Sequence, residues 1–312
     1  MTAIPTRRIS LRLIVVSLLL CLCPGCDRPE EAPVKISLSA TEHTGIVKEN
    51  KTSGTLRIAV AAVISPEESF FLYKDLLDYI AEKLGVKVEL VQRQTYEEVN
   101  NLVRDNKLDL AFVCSGAYVD GHDTFGMELL AAPVAYGEPV YYSYIIVPKS
   151  STAKDLNDLR GKRFAFTDPM SNTGKLAPTY MLSSQGENIE TFFSEYVFTF
   201  SHDRSIEMVA YSLIDGASVD SLIWEYLNST DPSLTSRTRI IRKSEPFGIP
   251  PVVVPSSLDE TMKENLRQLF LDIHTEEKGR KIIEKLHINK YVLLDDRQYD
   301  SIRKMRSVVS GQ

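Results

Sequence analysis

Two stretches of this chain show the same order of strand and helix patterns, and this repetition limits the folds that the chain can adopt. In the first stretch, residues 55–113, strand patterns alternate with helix patterns at 66–84 and 96–104. The same alternation returns after residue 160 and ends in a predicted strand at 218–222. This order favours parallel sheets with helices on both faces, whose ligands collect at the carboxyl ends of the strands. The chain is therefore predicted to be an α/β protein of two Rossmann-like lobes.

Two β-rich segments bounded by prolines, residues 140–147 and 250–255, are suited to crossing from one lobe to the other. A helical pattern follows the second segment, and its return to the first lobe would complete a double crossover hinge. We expect the first lobe to comprise residues 55–140 with 255–312, and the second lobe residues 141–254. A cleft between hinged lobes is a favoured ligand site and closes by hinge motion.

The N-terminal residues have the pattern of an export signal. Three arginines precede an apolar run, residues 13–22, which is shorter than the about 20 residues of a bilayer-spanning helix and is followed by Cys26. The paired arginines suit the twin-arginine export route, and the leucine-rich run equally suits the general secretory route. We predict an export and lipoprotein signal over residues 1–26, with Cys26 lipidated, and a flexible tether over residues 27–54. The mature protein would then reside in the periplasm or at the outer face of the cytoplasmic membrane, anchored by lipid.

The charge balance argues against nucleic acid as a partner. The formal net charge is −6 at pH 7, and removal of the three arginines of the signal lowers it from −6 to −9. Surfaces that bind nucleic acid are instead basic. A small anion remains a possible ligand, because local donors act at contact distance while distant charges are screened over about 8 Å at physiological salt.

Cys114 is the one thiol expected to stay free in the mature chain. Cys21 and Cys23 would leave with the signal and Cys26 would carry lipid, so no disulfide within one chain is expected. A lone thiol in an exported protein is either a buried small hydrophobe or a reactive ligand, and both interpretations stay open.

Motifs for catalysis are missing from the sequence. It contains no GxSxG elbow, no P-loop and no HExxH motif, and its five histidines are scattered without metal-ligand spacing. Ser171, His202 and Asp203 could suggest a catalytic triad, but their order matches none of the familiar arrangements. We therefore predict neither an enzyme nor a bound metal or cofactor.

The turn at residues 168–174, DPMSNTG, leads from a predicted strand into a predicted helix. A helix N-terminus offers unpaired amides and the positive end of the helix dipole to an anion. Ser171 and Thr173 add hydroxyl donors around Asn172, and Gly174 allows close backbone approach. Serine and threonine also favour ordinary N-caps. The turn therefore predicts either a cap or an oxyanion site.

In these segments the chain resembles the PhnD-like phosphate, phosphite and phosphonate binding proteins of ABC importers. The similarity runs from about residue 55 to about residue 290, through YEEVNNLVRDNKLDLAFVCSGAYV, RFAFTDPMSNTGKLAP, FTFSHDRSIEMV, ASVDSLIW and GIPPVVV. The resemblance implies a periplasmic binding protein of the type 2 fold. It also implies a small oxyanion ligand, an ABC permease in the inner membrane as partner, and no catalysis.

The resemblance further implies which side chains hold the ligand. Tyr96 and Tyr141 match family tyrosines that line the anion pocket, although tyrosine more often serves as packing in such folds. Ser171 and Thr173 match hydroxyls that hold the oxygens of the anion. His202 matches a family histidine that contacts the anion, although a histidine followed by aspartate is often a capping pair. The remaining candidates for the same pocket are Cys114, Ser115, Tyr118, Asn172, Gly174 and Asp220.

Two positions leave alternatives open. Many family members have glycine and proline in the loop after the third strand, where this chain has Cys114, Ser115 and Gly116. Similar proteins act as arsenite sensors beside a membrane histidine kinase, with a cysteine of this loop as the arsenic ligand. The alternative function is therefore a sensor that binds arsenite through Cys114. Asp220 would either pair with an aminoalkyl group of the ligand or cap a helix, and we favour the cap.

Overall fold

The computed structural model describes residues 54–311. The predictions of an export signal over residues 1–26, of lipid on Cys26 and of a tether up to residue 53 lie outside the described residues. Within the described part, no helix combines the length and the apolar character that a bilayer crossing requires.

The first lobe starts with the predicted alternation of strands and helices. Its first elements are β1 (Thr55–Val60), α1 (Pro66–Leu84), β2 (Lys87–Val91), α2 (Tyr96–Arg104), β3 (Leu110–Phe112), α3 (Ser115–Phe125) and β4 (Glu128–Ala135). Local sequence accounts for the helix ends. Helix α1 has two glutamates in its first turn and ends at Gly85, whose φ of 65° favours glycine. Helix α2 begins with a reciprocal capping box between Thr95 and Glu98.

The chain then crosses to the second lobe through β5 (Val140–Tyr141) and returns through β11 (Phe247–Gly248). Between them lie β6 (Ser143–Pro148), β7 (Arg163–Phe166), α4 (Ala177–Ser183), α5 (Ile189–Phe192), β8 (Glu195–Phe198), α6 (His202–Ala210), β9 (Gly216–Asp220), α7 (Ser221–Thr230) and β10 (Thr238–Lys243). A single π-helical turn, Asn172–Leu176, leads into α4. The two crossing strands pair with each other, Tyr141 opposite Phe247, and so form a two-stranded hinge.

The remaining elements complete the first lobe. They are β12 (Val252–Val254), α8 (Glu260–Asp272), α9 (Glu277–Lys285), β13 (Ile288–Val292) and α10 (Asp300–Ser310). The first sheet has the strand order β13-β4-β12-β3-β1-β2, and the second sheet has the order β10-β6-β9-β7-β8.

Two details of the predicted fold are wrong. The second lobe was expected to end at residue 254, but β12 pairs with β3 and β4 of the first sheet, so the return crossing lies at β11. The sheets were expected to be parallel throughout. Only the pairs of β1 with β2 and β3, and of β7 with β8 and β9, are parallel. Strands β4, β6, β10, β12 and β13 pair antiparallel, with partner strands that are distant along the chain.

Each sheet packs against a hydrophobic cluster on each of its two faces. Along β1, Ile58 packs with the residues of α1, α8 and α9, whereas the next residue, Ala59, packs with those of α2 and α3. The carboxyl ends of β1 and β3 continue into Ala61 and Val113, and residues after Ala61 bond to the second lobe through Val63 and Ser65. The fold thereby places the loop at 61–65 and the start of α3 at the surface between the lobes.

Candidate functional site

The predicted turn at 168–174 of the second lobe meets two helix N-termini of the first lobe. The amide of Tyr96, the first residue of α2, donates to Asp168 Oδ2 at 3.1 Å. The amide of Asn172 makes a weak hydrogen bond, 3.5 Å long, to the sulfur of Cys114, the N-cap residue of α3. The turn therefore lies in the cleft, in contact with both predicted site segments of the first lobe.

A second set of cross-lobe contacts joins the loop before α1 to the start of α6. The amide of His202 donates to the carbonyl of Val63 at 3.0 Å. The amide of Ser65, the N-cap residue of α1, donates to Asp203 Oδ1 at 3.1 Å. The two lobes are closed on each other in this structure.

Asp168 and Asp203 thus place carboxylates of the second lobe at the N-termini of α2 and α1 in the first. A negative group near a helix N-terminus contributes about 0.3–1 kcal/mol, and more where it is partly buried. Neither role was predictable from the sequence, because the partner amides lie 72 and 138 residues away along the chain. Both carboxylates therefore stabilise the closed arrangement directly.

Five buried polar atoms around the turn have no hydrogen-bond partner. They are Tyr96 Oη, Asn172 Oδ1, Thr173 Oγ1, Ser201 Oγ and His202 Nε2, and their residues are at most 1% exposed. Among the described residues, only two other side-chain atoms share this property. Most buried polar groups in folded proteins are paired, and leaving one unpaired costs about 1–3 kcal/mol. We call these five atoms the polar cluster.

The proton on His202 is assigned by its neighbours. Its Nδ1 lies 3.0 Å from the amide nitrogen of Asp220, which can only donate, so Nδ1 accepts. The Thr167 hydroxyl lies at the same distance from Nδ1. Burial lowers the pKa of His202 to about 3, which keeps the ring neutral. The remaining proton is therefore on Nε2, and the polar cluster contains a neutral N–H donor.

The turn itself combines a cap with a free hydroxyl. Ser171 Oγ accepts from the Gly174 amide at 3.0 Å, so Ser171 is the N-cap that was one of the two predicted alternatives. The Thr173 carbonyl accepts from the hydroxyls of Ser143 and Ser218 at 2.8 and 2.6 Å, which fixes the turn on β6 and β9. The Thr173 hydroxyl is left unpaired.

The expectation that the amides of this turn are unpaired is wrong for four of them, and Asp168 accepts from two, those of Met170 and Ser171. The Asn172 amide is engaged by Cys114 and the Gly174 amide by Ser171. Gly174 packs closely against the second lobe itself, because a Cβ there would lie 2.5 Å from Thr167 Oγ1, and its approach to a ligand stays a prediction. The donors for a ligand are therefore mainly side chains rather than the helix end.

Tyr96, Cys114 and Tyr141 are fully enclosed beside the turn. The side-chain amide of Asn172 donates to Tyr141 Oη at 3.1 Å. Burial is the main cause that raises the pKa of both tyrosines well above 10, so both keep their protons. Burial also raises the pKa of the Cys114 thiol, which is therefore a neutral, buried group that still lies within the candidate site.

Ser115 and Tyr118 were predicted as ligand contacts, but both hydroxyls have protein partners. Ser115 Oγ donates to the carbonyl of Gly248 at 2.7 Å and ties α3 to the hinge. Tyr118 Oη donates to Asp296 at 2.8 Å. Its ring packs against Tyr299, with 4.7 Å between the ring centroids. These side chains hold α3 in place, and the structure does not bring their hydroxyls into the polar cluster.

Ser201 was missed by the sequence analysis. Its hydroxyl belongs to the polar cluster, and it directly precedes His202 in the string SHD. That string was the signal that could have identified it. Asp220, in contrast, is the predicted helix cap, because its Oδ1 accepts from the Leu222 amide at 2.7 Å at the start of α7.

Asp220 gives the site an expected pH dependence. Burial raises the pKa of this carboxyl to about 7, so it is mostly neutral below pH 7 and mostly charged above it. A charged carboxylate beside the site repels an anion. We therefore expect anion affinity to fall about tenfold from pH 6 to pH 8, relative to the Asp220→Asn variant. His202 stays neutral over this whole interval.

Calorimetric titration of both proteins with the same anion measures this effect, because the anion's own ionisation cancels in the ratio of the two Kd values. Asparagine preserves the helix cap, so the variant should fold normally. A ratio that stays constant from pH 6 to pH 8 would contradict the expectation.

No metal centre is evident in the described part of the chain. Residues 54–311 contain no group of three or more His, Cys, Asp or Glu side chains placed to hold a metal ion. Four of the five atoms of the polar cluster can donate a hydrogen bond, and Asn172 Oδ1 can only accept one, so the site mainly offers donation by neutral groups to an oxygen-rich ligand.

The chain matches a known family of proteins over most of its length. Residues 58–299 match the family model of the periplasmic substrate-binding protein of phosphonate ABC transporters. The phosphonates-binding periplasmic protein of Escherichia coli (strain K12) is 27% identical over 234 residues, which cover 73% of this chain and 69% of that protein.

Two solved structures share the fold. The binding protein component of an ABC phosphonate transporter from Pseudomonas aeruginosa superposes with a TM-score of 0.78 at 23% identity, covering 83% of this chain and 87% of that one. PhnD1 from Prochlorococcus marinus in complex with methylphosphonate gives a TM-score of 0.75 at 18% identity, covering 82% and 98%. These similarities confirm the predicted type 2 periplasmic binding fold.

Proposed function

The chain belongs to the periplasmic substrate-binding proteins of phosphonate ABC transporters, and from this we propose that it binds a small phosphonate-, phosphite- or phosphate-like oxyanion in the polar cluster. The observation that carries the proposal is the set of buried polar atoms without partners between the lobes. Such atoms are costly unless a ligand pairs with them.

The donors of the polar cluster suit an oxyanion. Tyr96, Thr173 and Ser201 supply hydroxyls, and His202 supplies its Nε2–H. A hydrogen bond to a charged oxygen contributes about 1.5–3 kcal/mol. Tyr96 belongs to the first lobe and the other donors to the second, so a ligand gains its full set of bonds only when the lobes close. The ligand would thereby favour closure.

We infer a role in transport without catalysis. In the candidate triad of Ser171, His202 and Asp203, the carboxylate accepts from Ser65. Nδ1 of His202 accepts from the Asp220 amide and so has no proton to donate to Asp203. Ser171 Oγ caps the turn. A triad needs a histidine that is oriented by a carboxylate and in reach of the nucleophile, and these partners do not support that arrangement.

The family implies a periplasmic location and a membrane permease as partner. We propose in addition that a lipid on Cys26 anchors the protein, and that residues 27–54 form a tether which lets the two lobes reach the permease. The signal-like sequence before Cys26 supports this anchoring.

Titration of the mature protein with methylphosphonate, phosphite, phosphate and arsenite tests the proposed ligand class. We expect at least one of the phosphorus oxyanions to bind and arsenite not to bind. The alternative, an arsenite sensor acting with a histidine kinase, draws on the position of the Cys114 thiol within the candidate site.

The Cys114→Ser variant separates the two functions. Serine can also accept from the Asn172 amide, so oxyanion affinity should change by less than about fivefold, the effect of about 1 kcal/mol for a neutral hydrogen bond. Arsenite binding by the wild type that disappears in the variant, together with no binding of any phosphorus oxyanion, would replace the proposed function by the sensor.

A further inference from the structure

A cavity of about 110 Å³ lies beside α1 and α7, and its lining includes Val63 and Asp220, which both hydrogen-bond to His202 of the polar cluster. Both lobes contribute to its walls. The first lobe supplies side chains such as Val60, Leu72, Phe112 and Ala135, and α7 of the second lobe supplies Leu222 and Ile223.

Two residues link this cavity to the polar cluster. Val63 and Asp220 both line the cavity. The Val63 carbonyl accepts from the His202 amide, and the Asp220 amide donates to the His202 ring. The Asp220 carboxylate also affects the pKa of a tyrosine in the cavity and of a tyrosine in the cluster. Burial is the main cause that raises the pKa of Tyr73, in the cavity wall, to about 12, and the Asp220 carboxylate is the second cause. The same carboxylate contributes to the raised pKa of Tyr96 in the cluster.

The walls of the cavity are predominantly apolar. Aliphatic and aromatic side chains and the pair Pro250 and Pro251 make up most of them. The carboxylate of Asp220 is engaged in capping α7 through the Leu222 amide. The cavity is smaller than the apolar cavity of about 150 Å³ that holds a benzene ring. The cavity therefore suits a short hydrocarbon group.

We propose that this cavity is a second subsite of the oxyanion site, and that it holds the apolar substituent of an organophosphonate, a short alkyl group. The inference rests on the proposed function, because the phosphonate oxygens must occupy the polar cluster. A ligand would then be distinguished by its substituent as well as by its oxyanion.

A ligand series on the wild-type protein is the first test. Phosphite, methylphosphonate, propylphosphonate and butylphosphonate present the same oxyanion with a growing apolar group. Burial of one methylene corresponds to about a fourfold gain in affinity. We expect butylphosphonate to bind at least about tenfold more tightly than methylphosphonate. Butylphosphonate binding no more tightly than methylphosphonate would overturn the subsite while leaving the proposed function intact.

An isosteric pair tests the polarity of the subsite. Propylphosphonate and 2-aminoethylphosphonate have substituents of similar size, but the second carries an ammonium group. We expect the propyl compound to bind more tightly. Tighter binding of the amino compound would overturn the apolar assignment, because it would mean that pairing with Asp220 governs the subsite.

A cavity-filling variant supplies the structural test. Ala135→Leu should weaken butylphosphonate at least about tenfold and leave methylphosphonate and phosphite within twofold. Ala153→Leu is a matched control, because Ala153 is similarly buried, at 8% against 5%, and does not line the cavity. Equal weakening of all ligands by Ala135→Leu would overturn the subsite. Absence of binding by phosphite and every phosphonate would overturn the proposed function together with it.

Discussion

Replacement of Gly116 by alanine is expected to hold the two lobes apart and to lower oxyanion affinity about a hundredfold. Gly116 lies in the first turn of α3, against the turn of the second lobe. A Cβ at this position would overlap the carbonyl oxygen of Met170 and lie 3.0 Å from the amide nitrogen of Asn172. Both atoms belong to the backbone, so a change of rotamer cannot relieve the overlap.

The size of this effect follows from the cost of overpacking. Forcing extra volume into a packed contact costs about 1–3 kcal/mol, and each 1.4 kcal/mol is a factor of ten in affinity. The protein has a way to avoid the overlap, because its lobes can separate at the hinge. We therefore expect Gly116→Ala to fold normally, and to lose affinity because the closed state is disfavoured.

Calorimetry and small-angle X-ray scattering together measure this outcome. The variant should bind weakly and keep a larger radius of gyration in the presence of ligand. Gly121→Ala is the matched control in the same helix, because the three atoms nearest to its Cβ would belong to the side chains of Met127 and Phe125, within the first lobe. Wild-type affinity in Gly116→Ala would contradict the view that this contact forms on closure.

Replacement of Thr173 by valine is expected to weaken oxyanion binding by about ten- to a hundredfold. The Thr173 hydroxyl is buried and unpaired, and a bond from it to a charged oxygen contributes about 1.5–3 kcal/mol. Valine keeps the shape of threonine but cannot donate. The ligand-free variant should be as stable as the wild type or more stable, because an unpaired buried hydroxyl has been removed.

Thr179→Val provides the opposite control. The Thr179 hydroxyl lies in α4, is also buried, and donates to the Lys175 carbonyl at 2.7 Å. Its removal should lower the melting temperature of the ligand-free protein and leave oxyanion affinity within about twofold. If Thr173→Val lowered stability and left affinity unchanged, the hydroxyl would have a structural role and no part in binding.

The elements with strong local signals were predictable from the sequence. Helix α2 was predicted over its full length, and α1 was predicted to end at Gly85, because both have clear caps and apolar periodicity. Helices α3 and α7 were missed. The first has two glycines in the segment Ser115–Phe125, which weaken its helical pattern. The second follows directly on β9 at Asp220, so no loop residues mark its start.

The candidate site was predictable in part. The turn at 168–174 and His202 were identified from the residues and the family resemblance, and the structure brings them together with Tyr96. The partners of Ser115 and Tyr118 were not predictable, because they lie 133 and 178 residues away along the chain. The capping of α1 and α2 by Asp203 and Asp168 likewise depends on contacts between the lobes.

The crystal structure of the mature protein with methylphosphonate is the most direct test of the polar cluster as the oxyanion site. We expect phosphonate oxygens within hydrogen-bonding distance of Thr173 Oγ1, His202 Nε2 and Tyr96 Oη, with the Tyr96 amide still bonded to Asp168. A ligand bound elsewhere, with these three atoms paired to protein groups instead, would contradict the proposed function.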